Sequence, residues 1–375
     1  MTIEEKLIYL TENILYNESI NLPKNRTDDN FIGFIKAIFD EYIVLLSASE
    51  ITQPLLSEIN TLTSGILSVY EEYFKGFPHK AYHNLDHVLG NIKTRLERFG
   101  TQPMEHSDNN FYRIRTGSNH AYTMGELFHI PFEKREMVNS QRYSIPGFPS
   151  LYLGNSVMVC WEEMGRPDLL KTQAVRLSTE KRKFSYIDLG YPPHIYNSIL
   201  RDILFQKKKV SEDLLHQTHD YLVCWPLIAA CSIHVKNKEA PFKPEYIIPQ
   251  LLLQWVRNSN QFDCIRYFSV HTETNLDNHF LSFNYVFPVK SSNEKGYCKE
   301  LIKLFKMTEP ISTQYMFTII GDSEKELIRN QCFNKDAKLY LGLRHDAPSF
   351  LYRNTDFALI EGFLNYKLPL NNIRN

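Results

Sequence analysis

Along the first hundred residues, apolar positions recur at the three- and four-residue spacing of amphipathic helices. Phe31, Phe34, Ile35 and Ile38 form one such stripe, and Leu62, Ile66, Val69 and Tyr73 form another. A further helix is predicted from Pro78 to Gly100, with proline in its first turn and glycine closing it. The polar stretch from Thr101 to Asn110 reads as a linker, and after it short apolar runs alternate with helical patterns. Strands are predicted from Phe111 to Arg115, Ser150 to Leu153, Phe184 to Asp188, Cys264 to Val270 and Leu281 to Val289. Helices are predicted from Ser156 to Met164, His194 to Phe205, Ser211 to Trp225 and Glu245 to Arg257, with Ser211 ahead of Glu212 and Asp213 as an N-cap. In the tail, Phe317 to Ile320 and Leu339 to Leu343 look like strands and Asp356 to Leu364 like a helix. The pattern is α+β, with an all-α domain over residues 1–105 and a mixed domain over 106–375.

Composition narrows the function classes. A chain of 375 residues can bury a sizeable core and form two or three domains. The net charge of −1 is not segregated, apart from the Lys207-Lys208-Lys209 run, which argues against nucleic acid as the main partner. None of the six cysteines forms a close CxxC pair, as expected of reduced cytoplasmic thiols. The amphipathic start MTIEEKLIYLTEN lacks the features of a signal peptide, so a cytoplasmic location is expected. The longest apolar run, Tyr221 to Ile233, is interrupted by Pro226 and too short to span a bilayer, so no membrane partner is expected. His79, His83 and His87 recur every four residues but lack an acidic partner; they read as surface or packing residues, and no metal site is expected.

Chemistry concentrates between Arg142 and Glu163, RYSIPGFPSLYLGNSVMVCWEE. The predicted strand FYRIR sets Arg113 and Arg115 on one face, which for an R-x-R reads first as a solvated edge strand, although such forks also suit a pyrophosphate. In the helix after Asn155, the residues Val157, Cys160, Trp161 and Met164 form an apolar stripe. At 100° per residue Glu162 falls opposite that stripe, facing solvent, and Glu163 falls at its margin. A carboxylate in a last helical turn opposes the helix dipole, which singles Glu163 out. Tyr152 flips to the face opposite Leu151 and Leu153. Arg142 and Ser144 precede a Pro-Gly turn, in a loop able to close over a ligand.

FYRIR, ELFHIPFEKR, RYSIPGFPSLYLGNSVMVCWEE, FDCIRYFSV and FNYVFP, in this order, resemble a RES domain, the toxin of a class of bacterial toxin-antitoxin systems. The resemblance covers roughly residues 111–317 and is most specific around Tyr152 and Glu163. It implies a split, curved β core like that of ADP-ribosyltransferases, surrounded by helices, and an enzyme that consumes NAD as substrate without a further cofactor. Nicotinamide would leave to water or phosphate; the alternatives are ADP-ribosyl transfer to a macromolecule and a catalytically silent nucleotide-binding module. The family's residues correspond to Arg113, Tyr152, Glu163 and Ser269 as catalytic groups, with Arg113, Arg115, Arg142, Ser144 and Tyr152 binding the dinucleotide. In the usual motif a small or polar residue stands where Glu162 stands here. The N-terminal helices resemble, in position and length, the HEPN-like domains fused ahead of some RES domains; Arg98 and His106 are too far apart for the HEPN ribonuclease motif, so a regulatory role is implied. Partners consistent with this reading are an antitoxin or regulatory protein, and a second copy of the chain.

Overall fold

The computed structural model describes residues 1–99, 110–117, 120–180, 182–206, 210–271, 279–332, 340–341 and 350–373. The expected linker except its last residue Asn110, the glycine stop at Gly100, His106 and the Lys207-Lys209 run lie outside the described residues. The chain begins with α1 (Ile3–Tyr9), α2 (Phe31–Ser47), α3 (Leu56–Phe74), α4 (Pro78–Asn91) and α5 (Lys93–Phe99). Strands β1 (Asn110–Thr116), β2 (Ser150–Gly154) and β3 (Thr172–Ser178) follow, with α6 (Val157–Glu163) between the last two. Next come β4 (Tyr186–Leu189), α7 (Pro193–Phe205), α8 (Glu212–Cys231), α9 (Ile247–Asn258), β5 (Cys264–Phe268) and β6 (Phe283–Pro288). The remainder holds α10 (Lys299–Leu304), β7 (Lys306–Met307), β8 (Ile311–Ser312), α11 (Thr313–Ile319), α12 (Asp322–Cys332), β9 (Tyr340–Leu341), β10 (Phe350–Leu351), α13 (Asp356–Tyr366) and β11 (Asn371–Asn372). The fold is α+β with a helical N-terminus.

Two compact units emerge. Unit 1 gathers Met1–Glu105, Ser140–Ile145 and Ser185–Phe262, and unit 2 gathers His106–Asn139, Pro146–Phe184 and Asp263–Asn375. The helical N-terminus thus folds together with α7, α8 and α9, which the residue pattern had placed in the second domain.

Unit 1 is built on close helix contacts. A Cβ on Gly65 of α3 would lie 2.1 Å from Val88 Cγ2 of α4, so the missing side chain lets the two helices approach. Arg95 on α5 pairs bidentately with Glu58 of α3 and donates at 2.8 Å to Oδ1 of Asp220 of α8, a carboxylate with no solvent exposure whose other oxygen has no partner among the described residues. The expected helix from Pro78 breaks at Ile92 (φ −107°, ψ 12°), which separates α4 from α5. Ser211 does cap α8, its hydroxyl accepting from Leu214 N–H.

α8 also continues through Pro226 to Cys231, past the expected stop. Proline offers no N–H to the carbonyl four residues back. That carbonyl, Leu222 O, instead accepts the buried Tyr42 hydroxyl at 2.7 Å, and the Tyr42 ring lies 4.1 Å from that of Trp225. No described helix is long and apolar enough to cross a membrane.

Unit 2 centres on antiparallel strands in the order β11-β7-β3-β1-β2-β6-β5, with β8 also pairing β3. β1 pairs β3 along seven residues, from Asn110 opposite Ser178 to Thr116 opposite Thr172, and β2 pairs β6 along five. Between β1 and β2 a single pair joins the strands, Tyr112 opposite Gly154. The sheet is therefore two well-paired halves held at one point.

One face buries Phe111 against Phe184, Tyr285, Phe287 and Phe305. The other packs Tyr112, Ile114 and Ala174 against α6, α11 and α13. β3, the main partner of β1, lacks the alternation of a strand because Thr172, Gln173 and Ser178 are buried beside Val175 and Leu177. Their polar atoms find partners only in the fold: the Gln173 amide donates to His120 O at 2.7 Å and accepts Tyr122 N–H at 2.9 Å. The expected strand at Phe317 is instead part of α11, capped by Ser312; a short apolar run does not distinguish the two. Of the expected strand from Leu339, only Tyr340–Leu341 is described, paired with β10.

Glu361 of α13 is buried among these apolar groups, its Oε1 accepting the Tyr352 hydroxyl (2.5 Å) and Val157 N–H (2.6 Å). Burial pushes its carboxyl up from 4.5 to about 7, and the two hydrogen bonds oppose the shift. A raised carboxyl keeps its proton in the folded chain after the unfolded chain has lost it, so stability falls as pH rises through this window. Relative to the wild type, Glu361→Gln should gain roughly 3 kcal/mol between pH 4.5 and about 7, read by urea unfolding across pH. A pH-independent difference between the two proteins would refute this assignment.

Candidate functional site

The corner between β2 and α6 is tight. A Cβ on Gly154 would sit 2.5 Å from Val159 Cγ1 and 2.6 Å from Cys160 Sγ, so only glycine lets the helix fold back on the end of its strand. Ser156, in extended conformation, caps α6: its hydroxyl accepts Val159 N–H at 3.0 Å and donates to Leu281 O at 2.5 Å. Asn155 accepts Phe283 N–H at 3.0 Å through its side-chain oxygen, tying the corner to β6.

The two adjacent acids part company at the far end of α6. Contrary to the face expected from helical spacing, Glu162 is buried and Glu163 is exposed. Gly165 (φ +76°) and Arg166 (φ 61°) curl the chain back so that Arg166 Nε pairs with Glu162 at 2.8 Å, which allows that carboxylate to be buried. Arg166 also lies 5.6 Å from the Trp161 ring. Glu163 keeps an open approach, with Oε1 accepting from Asn284 Nδ2 of β6 at 2.8 Å.

Arg113 is the electrostatic anomaly of unit 2. It stands one residue past the single pair that joins β1 to β2. Its Nη1 is sealed from solvent without a hydrogen-bond partner, and among the described residues it forms no ion pair. Burial lowers its guanidinium to about 10; the Cys160 thiol and Tyr152 hydroxyl counter the shift, and Arg115 adds to it. Cys160 is pushed up to about 12 by burial and feels both Arg113 and Glu163. Cys160 is thus within electrostatic reach of both Arg113 and Glu163, and Tyr152 within reach of Arg113, while Glu163 is not among the groups that shift Arg113. His129 is also held down at about 4, by burial first and by Arg113 last, so it stays neutral near pH 7 and its Nε2 accepts Cys298 N–H at 2.8 Å.

On β2, Tyr152 is half-buried between the fully buried Leu151 and Leu153, as alternation requires. Ser150, on the same face, has a buried hydroxyl with no partner among the described residues. Arg115 is exposed, with its guanidinium 4.5 Å from the Tyr122 ring and one nitrogen donating to Glu126 O at 3.0 Å. Ser269 lies just past β5, buried, its hydroxyl accepting His271 N–H at 3.1 Å.

Arg142 and Ser144 belong to unit 1. Arg142 donates to Cys231 O and Ile233 O at 3.1 and 3.0 Å, capping the end of α8, and lies 5.3 Å from the Tyr246 ring. The Ser144 carbonyl accepts from Gln250 at 3.2 Å. In this conformation Arg142's guanidinium is a structural cap. Residue types alone pointed to neither Asn284 nor Cys160. Asn284 sits in FNYVFP, where an amide inside an apolar strand is the available signal. Among the described residues no three His, Cys, Asp or Glu side chains assemble to hold a metal ion.

Fold and site thus define an α+β protein whose sheet unit carries a buried arginine nitrogen without a partner among the described residues on β1, a half-buried tyrosine on β2 and an exposed carboxylate at the end of α6. The chain is 32% identical over 365 residues to "Putative toxin YopC" of Bacillus subtilis (strain 168), a match spanning 92% of this chain and 78% of that protein. It belongs to that protein's family. No protein-family profile and no solved structure matches it.

An unpaired, partly buried cation lowers the stability of the protein that carries it. Arg113→Met, which keeps length and removes charge, should therefore raise the stability of the ligand-free protein by about 1 kcal/mol in thermal unfolding. A loss of stability would mean that Arg113 is already compensated.

Proposed function

We propose that this chain is a toxin that cleaves the nicotinamide-ribosyl bond of NAD, with water or phosphate as acceptor, as its resemblance to RES domains implies. The observation that carries the reading is Arg113, whose buried Nη1 has no hydrogen-bond partner among the described residues, with Tyr152 close enough to act on it and Cys160 within reach of both Arg113 and Glu163. A buried donor left unsatisfied by the protein is a donor available to a ligand, and a fork of this kind matches pyrophosphate oxygens. The two sheet halves joined at one pair agree with the split core of the ADP-ribosyltransferase type. The relative's description as a toxin agrees with the biological role.

Loss of nicotinamide leaves positive charge on the ribose in an oxocarbenium-like transition state. Glu163 would face that charge and bind ribose hydroxyls, with Asn284 fixing its Oε1 so that the carboxylate does not have to reorganise as charge develops. Glu162, tied to Arg166, is unsuited to that task. Tyr152 would stack on the nicotinamide ring, and Arg113 would hold the pyrophosphate with Arg115 at the exposed rim. Arg142 has its donors on the carbonyls at the end of α8 and is left out of the proposed dinucleotide contacts. A cell making such an enzyme would need a restraining partner, which accounts for an antitoxin or for regulation by unit 1.

The purified protein should release nicotinamide from NAD, and Glu163→Gln should slow the release roughly 100-fold or more, whereas Glu162→Gln should retain most of it. No release from folded protein would defeat the reading, as would activity that survives Glu163→Gln but not Glu162→Gln. Label left on a macromolecule after incubating labelled NAD with cell extract would mark a transferase instead.

A further inference from the structure

The segment after residue 317 falls outside the span that resembles a RES domain, yet α13 grips both elements of the site. Near the start of α13, Phe357 lies 5.2 Å from the Trp161 ring of α6. One turn on, Glu361 accepts the N–H of Val157, the first residue of α6, at 2.6 Å. One further turn on, Asn365 Nδ2 donates to the Tyr112 hydroxyl of β1 at 2.9 Å. α6 carries Glu163 and β1 carries Arg113, so a single helix is fastened to the supports of both groups.

We propose that Glu361 is a positioning residue, which holds the N-terminus of α6 and, through that helix, the carboxylate of Glu163 in its working place. The proposal rests on the NAD-cleaving reading. A helix as short as α6, of seven residues, has no intrahelical partner for its first N–H groups and is marginal on its own. Ser156 takes the N–H of Val159, and Glu361 takes that of Val157. The hydroxyl of Tyr352, fully buried, donates to the same Glu361 oxygen at 2.5 Å and fixes the carboxyl in place.

The leverage follows from helix geometry. Six residues separate Val157 from Glu163, which at 1.5 Å per residue is about 9 Å. A tilt of about 10° at the N-terminal end therefore carries the Glu163 end by about 1.5 Å, and displacements of about 1 Å can cost two orders of magnitude in rate. A carboxyl that only filled the core would show no such link to turnover.

The test uses the full chain and two readouts: kcat and KM for nicotinamide release from NAD, and amide hydrogen exchange over residues 157–163. Glu361→Ala should lower kcat about tenfold or more with KM within about twofold, and should speed exchange at the start of α6. Glu361→Gln, whose side-chain oxygen still accepts from Val157 and Tyr352, should restore both readouts to within about threefold of the wild type. Unchanged exchange and kcat in Glu361→Ala, or a Gln variant as impaired as the Ala variant, would overturn the proposal. If the Ala variant does not fold, Tyr352→Phe replaces it, with faster exchange over α6 and a fall in kcat of about threefold expected; no change in either would likewise overturn the proposal. A wild-type protein that releases no nicotinamide would sink the NAD reading, while the exchange measurement would still decide whether Glu361 holds α6.

Discussion

The candidate site of unit 2 depends on one steric constraint, the corner at which β2 becomes α6. Gly154 must lack a side chain because Val159 and Cys160 already occupy the space a Cβ would take. The helix that starts there points its first N–H groups into the protein interior, where an unmet donor is costly. Two of them are met by side chains, Val159 N–H by the adjacent Ser156 and Val157 N–H by the distant Glu361. Ser156 in turn donates to Leu281 O, beside β6. A seven-residue helix of little intrinsic stability is thereby held rigidly enough to present a carboxylate.

Two arginines show the difference between structure and site. Arg95 in unit 1 spends its donors on Glu58 and Asp220, and these partners raise its already high basicity. Arg113 in unit 2 has a sealed Nη1 with no partner among the described residues, and burial lowers its basicity. Proteins retain an arrangement of the second kind against its cost where a ligand completes it. Arg142 is of the first kind, its donors on the carbonyls at the end of α8.

Local pattern carried much of the fold. The stripes through Phe31 and Leu62 lie on α2 and α3, and Ser156 and Ser211 cap α6 and α8. The departures share a cause. β3 has no alternation because the fold buries its polar residues and supplies their partners. α8 passes Pro226 because a tyrosine far away in sequence takes the carbonyl that proline leaves free. Helical spacing put Glu162 toward solvent, yet a left-handed turn at Gly165 and Arg166 returned a counterion to it and allowed its burial.

Taken alone, the order of residues determined the α+β class and the strand-to-helix corner, because these follow from periodicity and residue type within a few positions, and its resemblance to RES domains supplied the candidate chemistry around Arg113, Tyr152 and Glu163. Tertiary structure decided the rest: which acid remains accessible, which arginine lacks a partner, that Arg142 caps a helix in unit 1, and that the C-terminal helix supports the site. Each of these depends on whether a buried donor or charge meets a partner from a distant part of the chain, and such meetings are settled only when the chain has packed.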